Sequence, residues 1–238
     1  LQDSSFTGGE VARITKEDLK GNELLITLQN TITNLKDFWQ KYRDKLAIGL
    51  VIAGVAVLFL VIFILTSIRA NNEASREFNI GLITYTNVKL SPAERYGGAK
   101  KAFEEILSKH PGVRIRNEVR LYLGNCYYSL GDYDRAIEVF DKCIKEDKST
   151  TGIYALEGIG KSYEGKGDYT SAIQAYENAI KEYPRHFLIP LLLLHIGGCY
   201  EQMGKAGEAV STYKKILDSY PDSIWAGDAK TRINLMGK

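Results

Sequence analysis

Hydrophobic positions divide this chain into three regimes. Leu24, Leu25, Leu28, Ile32, Leu35, Trp39 and Tyr42 recur at three- and four-residue steps with polar residues between them, which predicts one apolar face on a helix. From Leu46 to Ile68 the alternation vanishes: LAIGLVIAGVAVLFLVIFILTSI runs 23 residues without a charge, closed by Lys45 and Arg69. Beyond residue 69 the apolar positions return in short helical stripes, punctuated by Gly and Pro. The pattern predicts an all-α protein.

At 1.5 Å per residue the uncharged run makes roughly 34 Å of helix, enough for a hydrocarbon core of about 30 Å. We therefore expect a single transmembrane helix over 46–68, with Trp39, Tyr42, Lys45 and Arg69 at the membrane interfaces. Lys36, Lys41, Arg43 and Lys45 precede it, against Arg69 and Arg76 after it. The positive-inside bias places the N-terminus in the cytoplasm and the long C-terminal part outside. Residues 1–21 read as a flexible segment, with a brief helical turn from Thr15 to Gly21. Asn22 is positioned to cap an amphipathic juxtamembrane helix over 22–45. Two occupants suit the stripe on that helix, lipid head groups or the helix of another subunit. An opening Leu1 in place of Met leads us to expect a trimmed or longer N-terminus.

The C-terminal part, 69–238, is self-similar. Ala99, Ala136, Ala172 and Ala209 lie 37, 36 and 37 residues apart, and four residues after each stands an aromatic: Phe103, Phe140, Tyr176, Tyr213. Twelve before the last three alanines come Gly124, Gly160 and Gly197, each followed three later by Tyr127, Tyr163 or Tyr200. Gly131, Gly167 and Gly204 follow, and Pro111, Pro184 and Pro221 close three of the units. Gly and Tyr three apart share a helical face, where the glycine admits a partner helix and the tyrosine fills the space beside it. The later glycine stops that helix, Asp132 and Asp168 cap the next, and the alanine sits where the two helices cross. We expect repeats near 74–111, 117–148, 153–184 and 190–221, with a capping helix at 223–236. The first is degenerate: its leading helix, near Asn79–Lys89, lacks the Gly-x2-Tyr pair.

These motifs, LYLGNCYYSLGDYDRAIEVF, LEGIGKSYEGKGDYTSAIQAY and LLHIGGCYEQMGKAGEAVSTY, resemble the tetratricopeptide repeat (TPR), a helix–turn–helix unit with a typical period of about 34 residues. The two or three extra residues per unit should lie in inter-repeat loops such as KEDKSTTG. A short N-terminal stretch, the run FWQKYRDK, one span and outward-facing repeats together resemble bacterial membrane-anchored TPR proteins. The ancillary subunits of the SecYEG translocon and related periplasmic TPR proteins are of this kind. That resemblance implies the bacterial inner membrane, an extracytoplasmic repeat domain and protein partners. It also implies that the first helix of each repeat lines a groove. Its consensus slots fall on Leu121, Asn125 and Tyr128, then on Tyr154, Glu157, Lys161 and Glu164, then on Leu191, Leu194 and Glu201. Leu191 and Leu194, in the run LIPLLLL, form the expected sticky patch.

Composition narrows the chemistry. Lys and Arg total 31 against 29 Asp and Glu, a net charge of +2, too small for the basic footprint of a nucleic-acid binder. Cys126, Cys143 and Cys199 are too few and too irregular for a disulfide framework or a zinc site. In the repeat register Cys126 and Cys199 share one slot, and Cys143 stands where Ile106, Ala179 and Ile216 stand elsewhere, so all three read as small apolar fillers. Cys126 and Cys199, two repeats apart, are too distant to bond, while a Cys126–Cys143 bridge within one hairpin is open if the domain lies outside. His110, His186 and His195 are scattered. No nucleotide loop, nucleophile elbow or metal spacing appears. The expectation is a non-enzymatic protein without cofactor, metal or small-molecule substrate, whose partners are proteins and the lipid bilayer. Within that reading two roles compete: an assembly or chaperone scaffold, and a permanent accessory subunit of a large respiratory or redox membrane complex.

Overall fold

The computed structural model of the chain describes residues 16–146 and 150–237. Among these residues there are nine helices and no strands. They are α1 (Lys16–Thr86), α2 (Pro92–Lys109), α3 (Arg116–Ser129), α4 (Tyr133–Glu146), α5 (Thr150–Gly165), α6 (Tyr169–Glu182), α7 (Ile189–Gln202), α8 (Ala206–Ser219) and α9 (Ala226–Met236). The chain forms two units, residues 1–64 and residues 65–238.

In the first unit the helix is unbroken. The expected turn before Gly21 and the cap at Asn22 are absent, because α1 runs through both positions from Lys16. A single glycine costs a helix only about 1 kcal/mol, which its long flanks absorb. Residues 1–15 lie outside the described residues, as do 147–149 of KEDKSTTG, whose flanking residues belong to α4 and α5 rather than to a loop. The side chains of the apolar run are exposed, Leu50 at 74% and Phe63 at 70%. A helix this long and apolar meets the length and composition needed to cross a membrane.

The second unit is a series of antiparallel helix hairpins stacked in chain order. Ala99, Ala136, Ala172 and Ala209 are fully buried, as are Phe103, Phe140 and Tyr176, with Tyr213 at 1%. Each aromatic presses on a glycine of the preceding helix. An added Cβ would lie 2.4 Å from the Phe140 ring at Gly124, 2.3 Å from Tyr176 at Gly160 and 2.2 Å from Tyr213 at Gly197. The same contact exists in the degenerate first hairpin, where Gly81 of α1 meets Phe103 of α2 at 2.6 Å. Sequence comparison overlooked Gly81 because the stretch between it and Phe103 is six residues longer than its counterparts, two of them in the connection and four at the start of α2. Gly81 and Phe103 are 22 apart, whereas Gly124 and Phe140 are 16 apart. Ser91 opens α2 with a reciprocal capping box to Glu94.

Three hairpin turns are built alike. Gly131, Gly167 and Gly204 have φ of 80°, 76° and 71°, the left-handed region that glycine enters without a Cβ penalty. In the first, Asp132 N–H donates to the Tyr127 carbonyl at 2.9 Å and Gly131 N–H to Tyr128 at 3.0 Å. The second and third repeat both bonds one unit on, so each first helix ends in a Schellman motif. Asp168 then caps α6, accepting from Ser171 N–H at 3.1 Å. The final helix, α9, buries Ala226 and Ala229 against the core that holds Tyr213 and Ile216.

Candidate partner-binding groove

α3 and α5, the first helices of two successive hairpins, pack beside one another. Between them lies a cavity of about 400 Å³, lined by Leu121, Tyr122 and Asn125 from α3 and by Tyr154, Glu157, Gly158 and Lys161 from α5. Gly158 forms part of its floor, since a Cβ there would meet the Phe140 ring at 2.5 Å. The floor is therefore continuous with the core. Lys161 Nζ stands 3.9 Å from the Glu157 carboxylate and 5.3 Å from the centroid of the Tyr128 ring, so Tyr128 borders the cavity through that lysine. The lining combines aromatic faces, one aliphatic side chain, an amide and a pair of opposite charges. A peptide offers complements to all of these: apolar side chains, main-chain donors and acceptors, and either sign of charge.

Of the residues anticipated for the groove, Leu121, Asn125, Tyr154, Glu157 and Lys161 meet at this cavity. Glu164 and Glu201 are instead committed to internal contacts. The Tyr176 hydroxyl donates to Glu164, and the His195 ring stacks on Tyr176 at 5.1 Å with its Nδ1 3.2 Å from the same carboxylate. Burial, reinforced by the Glu164 carboxylate, holds the Tyr176 hydroxyl far above the ordinary tyrosine range, so it remains a donor. One unit on, Tyr213 donates to Glu201 at 2.8 Å and Arg232 of α9 grips the other carboxylate oxygen at 3.0 Å. Where the buried aromatic is Phe140, which cannot donate, the matching position carries Tyr128 rather than Glu. These glutamates serve the packing between helices.

Leu191 and Leu194 are half-buried and pack against the cores around Tyr176 and Tyr213 respectively. The strongly exposed apolar side chains of this region are Phe187, at 64%, and Ile224, at 83%. They stand three residues after Pro184 and Pro221 and, with His186, Pro190, Tyr220 and Trp225, line a second cavity of about 670 Å³. Sequence reasoning missed them. The signal was available in the register, since both occupy one repeat slot that holds Arg114 in an earlier unit.

The thiols are fillers. Cys126, Cys143 and Cys199 are fully buried thiols in no disulfide, so the Cys126–Cys143 bridge is not formed. Burial pushes the Cys126 and Cys199 thiols up to about 12. Among the described residues no group of three or more His, Cys, Asp or Glu is arranged to hold a metal ion.

Known proteins agree with this architecture. Residues 118–149 and 165–233 match family models of the tetratricopeptide repeat. No curated protein matches the chain by sequence. Among solved structures the chain is similar to a MamA protein, at 23% identity and TM-score 0.53, covering 68% of this chain and 80% of that one. It is also similar to a tetratricopeptide repeat protein from Parabacteroides merdae, at 18% identity and TM-score 0.52, covering 68% of this chain and 60% of that one. Repeats of a putative kinesin light chain from Podosopora anserina superpose at TM-score 0.56 with 10% identity, covering 70% and 85%. At such identities the likeness is one of fold.

Proposed function

We propose that this protein is a non-catalytic, membrane-anchored scaffold that presents its repeat domain outside the cytoplasm of a bacterial cell and holds a segment of a partner protein between α3 and α5. The observation that carries the reading is the cavity lined by Leu121, Asn125, Tyr154, Glu157 and Lys161. It lies on the first helices of successive tetratricopeptide repeats, a module that binds proteins. Anchoring is supported by the uncharged run 46–68 inside α1, and orientation by the excess of Lys and Arg before it.

Affinity purification of the full chain from detergent-solubilised membranes tests the groove. Tyr154→Ala and Lys161→Glu should each lose the partner while the far-UV circular dichroism stays unchanged. Retention of every partner by both variants would remove the groove from the account. Stoichiometric recovery of one complex would assign a permanent subunit, and many substoichiometric clients a chaperone.

A further inference from the structure

The backbone of α1 decides between the two occupants of the stripe that precedes the span. A helix lying along the head groups must bend to enter the bilayer. α1 has no such break: Gly21, Gly49 and Gly54 all sit within one helix from Lys16 to Thr86. Leu25 precedes Leu46 by 21 residues, or roughly 30 Å along the axis. The head-group layer adds only about 5–8 Å on each side of the hydrocarbon, and even a tilt of about 40° leaves Leu25 far outside it. Lipid reaches Tyr42 and the neighbourhood of Trp39. Leu35, Ile32, Leu28 and Leu25 stand in water.

Their spacing is that of a coiled coil. Leu25, Leu28, Ile32, Leu35, Trp39, Tyr42 and Leu46 follow alternating steps of three and four, the a and d places of successive heptads. The opposite f places hold Asn30, Asp37 and Asp44. Ile32 at a between Leu28 and Leu35 at d is the combination that favours two parallel strands. The register then enters the span without a change of phase and meets Gly49, Ala53 and Ala56. Small residues four apart let membrane helices approach closely. A Cβ added at Gly49 would meet nothing in this chain, whereas Gly124, Gly160 and Gly197 each face a ring. One seam is thus bulky and apolar in water, and small in lipid.

We propose that the occupant of this seam is a second copy of the same chain, forming a parallel homodimer through residues 25–56. The proposal rests on the membrane-anchored reading, since the shared bilayer is what orients the two copies alike. In that alignment the flanking g and e′ places pair Leu24 with Gln29, Thr31 with Lys36 and Phe38 with Arg43, so no like charges meet. The last is a cation–π contact. Leu25, Leu28, Ile32, Leu35 and Trp39 are each between 57% and 63% exposed. With Tyr42, two copies meeting would cover on the order of 1,200 Å², the scale of a specific interface.

Single cysteines introduced in the full chain in native membranes test this. Leu28→Cys and Leu35→Cys lie on the seam; Thr33→Cys and Asp37→Cys point away from it. Oxidation should give a disulfide-linked dimer at the seam positions at least about fivefold over the others, because only facing Cβ atoms come within bridging distance. Co-expression of two differently tagged copies should yield a band carrying both tags. Ala53→Leu, which fills the small part of the seam, should reduce the Leu35→Cys dimer by about half or more. Equal yields at all four positions, or a seam product containing a different protein, would overturn the dimer while leaving the anchor intact. Release of the chain by alkaline carbonate would overturn the anchor and the dimer together.

Discussion

Replacing Gly160 by Ala probes the packing on which the groove stands. An added Cβ would lie 2.3 Å from the Tyr176 ring, more than about 1 Å inside the optimal carbon–carbon separation. The ring has nowhere to retreat. Tyr176 is fully buried, its hydroxyl is held by Glu164 and one face is covered by His195. Accommodation therefore requires α5 and α6 to part by about 1 Å. Overpacking of this kind costs about 1–3 kcal/mol, and so close a contact belongs at the upper end. Ala in place of a helical Gly returns about 1 kcal/mol. The net loss is about 2 kcal/mol, a fall in melting temperature of about 4–8 °C for a unit of this size. Gly97, in α2, is the control, because an added Cβ there meets nothing within 4 Å. Gly97→Ala should stabilise the protein by about 0.5–1 kcal/mol. Thermal melts of the full chain in detergent, followed by circular dichroism, read both. A Gly160→Ala variant melting at or above the wild type would refute the reasoning, as would an equal fall for Gly97→Ala.

Other outcomes follow from the same packing. Phe140→Ala vacates a ring wedged between Gly124 and Gly158 and should cost about 3–5 kcal/mol, read as a lowered urea midpoint. The Cys126 and Cys199 thiols are raised by burial from an ordinary value of 9.0 to about 12. The unfolded chain ionises first, so their contribution to stability is full below about pH 9 and is lost as pH rises towards 12. Urea midpoints measured at pH 8 and pH 10.5 should fall in that order, and less steeply after Cys126→Ala with Cys199→Ala. In native protein at pH 8 the three thiols should react with Ellman's reagent only at the rate of unfolding. A rapid stoichiometric reaction of any of them would contradict their burial.

Much of the repeat domain was legible because each slot obeys one physical demand. Gly124, Gly160 and Gly197 admit a ring, Gly131, Gly167 and Gly204 take positive φ, and Ala99, Ala136, Ala172 and Ala209 fill helix crossings. Gly81 escaped because six inserted residues shifted it out of register, although it meets Phe103 as its counterparts meet theirs. The supposed break at Gly21 shows the reverse error, a local signal outweighed by the helix on either side. Spacing brought Leu121, Asn125, Tyr154, Glu157 and Lys161 to one cavity, since first-helix faces repeat with the register. It could not foresee that Glu164 and Glu201 answer the hydroxyls of Tyr176 and Tyr213, contacts 12 residues away across a turn. Nor did hydrophobicity locate the exposed patch: the leucine-rich run around Leu191 and Leu194 packs inward, and the loop residues Phe187 and Ile224 are the ones in solvent.

The central claim, that the space between α3 and α5 holds a partner protein, is tested most directly by photo-crosslinking in living cells. A photoreactive amino acid would replace Tyr154 or Asn125 in the groove, and Lys142 on the exposed side of α4. Mass spectrometry of the adducts should recover the same protein from both groove positions and not from Lys142. Adducts distributed equally over the three positions, or confined to Lys142, would contradict the account.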